Sequence, residues 1–121
     1  MNKTAKIVGN GIAYKFVLLD AMHGIWLYHE KVKAWREKVA DIDSAIKLFS
    51  ELEIQEIYEL CAFMLPNAEV AGEKCNEAGF CDSFARKPHL LYEALLFAVA
   101  ANYPDYFPFL QGEASDMTEN L

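Results

Sequence analysis

Cysteine, positive charge and long apolar runs are all in short supply in this chain. Its three cysteines, Cys61, Cys75 and Cys81, are too few and of the wrong parity for the disulfide framework that staples a small secreted domain, so a reducing compartment is expected. Eleven Lys and Arg stand against eighteen Asp and Glu, a formal charge of −7. A phosphate backbone or an anionic membrane repels such a chain, which argues against nucleic acid and membrane as partners. The charge suits a basic protein partner, or simply solubility. The longest apolar stretch, Leu90 to Ala101, is broken by Glu93 and falls short of the roughly 20 residues that span a bilayer, so a buried helix is expected there. The first twenty residues reach Gly9-Asn10-Gly11 before any apolar run long enough for an export signal, and none is expected.

What is present is a foldable chain. Apolar residues make up 54% and charged residues 24% of 121 residues, ordinary proportions for one globular domain with one core. The expected domain covers residues 1–111, and the acidic stretch 112–121, with few packing residues, is expected to be a disordered tail.

Two β-leaning runs, Ala5 to Val8 and Ile12 to Leu18, flank Gly9-Asn10-Gly11 and predict an N-terminal hairpin. Period-2 alternation places Ile12, Tyr14, Phe16 and Leu18 on one face, which should lie on helices. Asp20 stands at an N-cap position. From there Ala21, Ile25, Tyr28, Val32, Trp35 and Val39 form one helical stripe, opposite Glu30, Lys31, Lys33, Glu37 and Lys38. Asp41-Ile42-Asp43 offers a second cap before a short helix holding Ala45, Ile46, Leu48 and Phe49. Ile54, Ile57, Tyr58, Cys61, Met64 and Leu65 predict another amphipathic helix, ended by Pro66. Residues 67–87 read as a loop with at most one helical turn or short strand. Pro88 opens a helix to about Asn102 with almost no polar face, which belongs at the centre of the core. The fold class expected is mainly α (α+β), with a small N-terminal β-hairpin packed on a bundle of about four helices.

Catalytic and cofactor signals are weak. Cys75, Cys81 and His89, with Cys61 in reserve, are the one set resembling a metal site, but no C-x-x-C or H-x₃-H pair pre-forms half a tetrahedron. Small buried thiols and a surface imidazole explain them as well. His23 and His29, six residues apart on one helix, lie about 120° off a common face. Gly9-Asn10-Gly11 lacks the later glycine, the Lys-Ser/Thr pair and the following helix of a phosphate loop. Neither Asp41 and Asp43 nor any Cys-His or Ser-His pair stands out as a catalytic set. No enzyme activity, metal or cofactor is expected.

Aromatic residues are in surplus. Trp26 falls off the main stripe of its helix, and Tyr103, Tyr106, Phe107 and Phe109 crowd a proline-containing segment. These five, Trp26, Tyr103, Tyr106, Phe107 and Phe109, are the candidate protein-binding residues, with the edge of the core as the alternative.

The order of features resembles a known family. A Gly-containing turn leads to a strand, Ala13-Tyr14-Lys15-Phe16 into Leu18, and then to a helix opening Ala21-Met22-His23-Gly24-Ile25-Trp26-Leu27. An amphipathic helix follows, then a polar stretch with Phe84, then a leucine-rich helix closing Ala101-Asn102-Tyr103-Pro104-Asp105-Tyr106-Phe107. From about Lys6 to Leu110 this is similar to the small tail assembly chaperones of long-tailed bacteriophages. The resemblance implies a host-cytoplasmic protein, without cofactor, that binds the long, aggregation-prone tape measure protein and helps recruit tail tube subunits, with several copies possible on one partner. In that family a longer frameshifted product is often made. The chain departs from the pattern mainly in residues 67–87. A small phage-encoded inhibitor or regulator that binds a host protein complex would have the same acidic composition.

Overall fold

A two-residue turn starts the fold in this computed structural model, which describes residues 3–107 and the backbone of Met117–Asn120. Asn10 and Gly11 hold φ of 54° and 80°, the left-handed pair that a type I′ hairpin turn demands. They join β1 (Lys3–Gly9) to β2 (Ile12–Val17) in antiparallel register, Gly9 opposite Ile12 and Thr4 opposite Val17. The alternation along β2 buries Tyr14 and Phe16, and the Tyr14 ring lies 5.3 Å from that of Phe97. The aromatic face of β2 therefore does meet a helix.

Asp20 caps the next element by accepting from the His23 amide at 2.8 Å. The helix that follows is α1 (Ala21–Leu27), then one π-helical turn (Tyr28–Val32), then α2 (Lys33–Lys38). It ends where Val39 turns extended. Asp41 and Ser44 form a reciprocal capping box that opens α3 (Ile42–Ser50), whose Phe49 packs edge-on against Trp35. Helix α4 (Ile54–Met64) buries Ile57, Leu60, Cys61 and Met64 and stops two residues before Pro66. It runs antiparallel to α1, since Trp26 meets Phe63 while Lys31 pairs with Glu56 at 2.6 Å.

The expectation of a helical bundle carrying a small hairpin is overturned: the fold is α+β with an antiparallel sheet of its own. β3 (Glu69–Val70) extends the hairpin beside β2, and β4 (Glu73–Lys74) pairs with β3. Met117–Asn120 (β5) lies antiparallel to β1, so the strand order is β4-β3-β2-β1-β5. The reason lies in the local sequence. β3 and β4 are two residues each and mostly charged, too short to show a period, and their turn places Ala71 rather than Asn at positive φ before Gly72. β5 falls in the stretch expected to be disordered; residues 112–116 and 121 lie outside the described residues.

Helix α5 (Ser83–Arg86) buries Phe84 and leads into α6 (Pro88–Asn102), with Pro88 in its first turn. Every residue from Glu93 to Ala100 is buried. Helix α6 touches β1, β2, α3, α4 and α5, the central place its hydropathy predicts. It approaches the sheet closely at Gly9, where an added Cβ would overlap the Phe97 ring.

Phe97 is itself buried, so the ring has little room to yield. Gly9→Ala is expected to destabilise the protein by about 1–3 kcal/mol through overpacking, measured as a lower urea midpoint with an unchanged slope.

Candidate protein-binding face

The π-turn decides which side of the first helix meets water. A single i→i+5 turn adds one residue to the helical count and so rotates everything before it by about 100° relative to everything after it. From Val32 through α2 the expected stripe is kept, with Val32 and Trp35 buried. On the N-terminal side the buried face passes instead through Leu27 and Gly24, and Ile25 is turned outward. The exposed side of α1 therefore carries Met22, Ile25 and Trp26 at 78%, 63% and 53% exposure. Phe63 of α4 adjoins them, its ring 5.4 Å from that of Trp26 and 5.6 Å from that of His23.

One turn along each helix from that aromatic pair stand the exposed carboxylates Glu30 and Glu59. Beside the face, between the start of α1 and the end of α4, lies an open cleft of about 610 Å³ lined by Val17, Leu18, Leu19, Phe63, Met64 and Pro66, with Asp20 and His23 at its edge. Asp20 touches the His23 ring nitrogen Nδ1 at 2.8 Å. The His23 backbone N–H and then its side chain, both hydrogen-bonding to the Asp20 carboxyl, hold it below the usual carboxylate range. Among the described residues no Ser, Thr or Cys lines the cleft beside this imidazole. The pair acts as a helix cap.

Two residues at the end of α6 hold the start of α1 in place. Asn102 accepts from the Leu19 amide and donates to the Ala98 carbonyl, both at 2.9 Å. The Tyr103 hydroxyl donates to the Gly24 carbonyl at 2.7 Å. Tyr103 is thus a buried strut. Phe107 is also buried, among Trp35, Val39, Leu48, Phe49, Leu96 and Val99. Tyr106 is 41% exposed, its ring tilted against that of Tyr28 at 5.3 Å and the Arg36 guanidinium 4.1 Å from its ring centroid. Of the five candidate contacts, then, Trp26 and Tyr106 reach the surface, in separate aromatic groupings; Tyr103 and Phe107 sit inside, and Phe109 lies outside the described residues. Met22, Ile25 and Phe63 were not among the candidates. The spacing Met22-Ile25-Trp26 is itself a helical stripe, and only the π-turn decides between it and the stripe through Ile25 and Tyr28.

The polar interior is sparse. Glu93 is buried and accepts from Asn10 Nδ2 at 2.8 Å, tying the hairpin turn to α6. Burial, and then the charge of Glu93, push the Tyr14 phenol upward; its hydroxyl has no hydrogen-bond partner among the described residues. Cys61 and Cys75, buried on α4 and after β4, are pushed up to about 12, in both cases chiefly by burial. Cys81 lies beside Cys75, and His89 is exposed on α6. Among the described residues no three His, Cys, Asp or Glu side chains are placed to share a metal ion, and no helix is long and apolar enough to cross a membrane. Compared with protein-family models, curated proteins and solved structures, the chain gives no match.

Burial pushes the Tyr103 phenol up to about 12, whereas an unfolded tyrosine ionises near pH ~10. Because the folded value is the higher one, the stability linked to Tyr103 is complete below the unfolded value and is lost as pH rises through the folded one. Tyr103→Phe is expected to cost about 1 kcal/mol near neutral pH through the lost bond to Gly24 and to make the alkaline loss shallower. Urea denaturation across that pH range measures both effects.

Proposed function

We propose that the protein is a non-enzymatic binder of the tail assembly chaperone kind, which holds an amphipathic helix of the tape measure protein in the bacterial cytoplasm and assists the addition of tail tube subunits. The observation that carries this reading is the exposed Met22-Ile25-Trp26 face beside Phe63. Large apolar side chains grouped on a surface are characteristic of interaction sites, and tryptophan is the residue most enriched among those that dominate binding energy. The face runs along two antiparallel helices, which offer a shallow groove to a third.

Charge narrows the occupant. Glu30 and Glu59 flank the aromatic pair, Glu56 is engaged by Lys31, and the whole chain carries −7. An amphipathic helix with apolar anchors three and four residues apart and Lys or Arg at its margins complements that surface in both respects. A long, helical and aggregation-prone partner would be kept soluble by an acidic cover of this kind, with several copies along one chain.

The test is affinity purification of the tagged protein from the cells that produce it, with mass spectrometry of the captured proteins, followed by titration with helical peptides from the captured partner. A very long helical phage protein should be recovered. Ile25→Asp and Trp26→Ala should each weaken peptide binding by about 2 kcal/mol, roughly thirtyfold, while leaving the denaturation midpoint nearly unchanged, because both side chains are exposed. Recovery of a host complex instead would favour the inhibitor reading, and undiminished binding by both variants would remove this face from the account.

A further inference from the structure

Two cysteines that frame one tight loop are held against each other by the backbone. Cys75 follows β4 and Cys81 precedes α5, and residues 76–80 between them close on themselves. The Asn76 amide donates to the Phe80 carbonyl at 2.9 Å, the Gly79 amide to the Asn76 carbonyl at 3.0 Å, and the Ala78 and Phe80 amides to Asn76 Oδ1 at 2.9 and 3.1 Å. Cys75 and Cys81 flank the Asn76–Phe80 hydrogen bond on opposite arms of the loop, and each thiol lies close enough to the other to shift its ionisation. Two residues that bracket the backbone hydrogen bond closing a five-residue loop are drawn near each other, as a disulfide requires.

The loop is also fixed to its support. Gly79 sits over the Cys61 carbonyl of α4 with no room for a Cβ, and the Phe80 ring packs edge-on against Tyr58, 5.7 Å between centroids. Cys75 is 2% exposed and Cys81 9%, so Cys81 is the more accessible of two buried residues.

We propose that Cys75 and Cys81 are a reversible disulfide site, oxidised by a small-molecule disulfide of the glutathione type, and that the bond locks residues 76–80 onto α4. The Cys81 thiolate attacks the small disulfide, forming a mixed disulfide and releasing one small thiolate. The Cys75 thiolate then attacks Cys81 Sγ, closing the intramolecular bond and releasing the second. Two protein thiols are oxidised, one small disulfide is reduced to two thiols, and the two protons lost by the cysteines go to the leaving thiolates. Burial first, then Glu73, holds Cys81 above the usual thiol range, and burial first, then Cys81, Cys61 and Glu73, does so for Cys75. Both thiols therefore rest protonated and exchange slowly at neutral pH. The disulfide places no charge in the interior, and Cys61 is left as the third, unbridged thiol.

Oxidised glutathione added to the folded full-length protein, followed by alkylation, trypsin digestion and mass spectrometry, tests this. Cys75 and Cys81 fall in one tryptic peptide, residues 75–86, and Cys61 in another. The 75–86 peptide should lose the mass of two hydrogens, at a rate rising roughly tenfold per pH unit from neutral pH upward. The bond should raise the melting temperature by about 5 °C. Cys61→Ala should leave the reaction intact; Cys75→Ser should stop it at a mixed disulfide on Cys81. A bond joining Cys61 to either partner would overturn the proposal. So would an unmodified 75–86 peptide in the folded protein while the urea-denatured chain oxidises.

Discussion

Helix α6 has no polar side, and the rest of the molecule is arranged to cover it. A helix that is apolar all round loses roughly 1.5–3 kcal/mol for each large side chain left in water, so no single layer can satisfy it. The hairpin covers it through Tyr14, and α3, α4 and α5 cover it elsewhere. The one carboxylate in its centre, Glu93, is tolerated because Asn10 at the hairpin turn donates to it. Gly9 lets the sheet come down onto Phe97. Turn, strand and helix are thus specified together: the residues that make the turn also complete the contact.

From that centre the surface is positioned by two hydrogen-bonding side chains. Asn102 and Tyr103, where α6 ends, fasten the segment entering α1 and the Gly24 carbonyl within it. The aromatic closing segment from Tyr103 to Phe107 is in this way largely a fastening. Its influence on any partner passes through the placement of α1, with Tyr106 alone of its described aromatics standing well out into solvent.

Much of this was legible in the chain, for physical reasons that also mark where legibility ends. The Asn10-Gly11 turn, the Asp20 and Asp41 caps, Pro88 and the unbroken hydropathy of α6 are local signals, and each stands where its chemistry places it. The sheet beyond the hairpin was hidden because β3 and β4 are too short and too charged to carry a period, and because Ala71 is an unusual residue for a left-handed turn position. The candidate face was half visible. Trp26 stands out in the sequence as a misfit to its stripe, but a constant 3.6-residue period puts Ile25 in the interior, and the π-turn at Tyr28–Val32 breaks that period. Tyr103 and Phe107 look like interface residues by composition, and their burial follows from long-range contacts that no local pattern encodes.

The π-turn makes the first helix a device with two phases. Its C-terminal half is locked to the core by Val32 and Trp35, while the identity of the outward face upstream depends on one surplus residue in the count. Were the same residues wound as α-helix throughout, Ile25 would turn inward and Leu27 outward, whereas deleting one residue of Tyr28–Val32 would bring Leu27 and Val32 four apart and keep both inside. A single-residue deletion, ordinarily ruinous inside a helix, would here leave both faces where they are, because the turn already carries the residue that is lost.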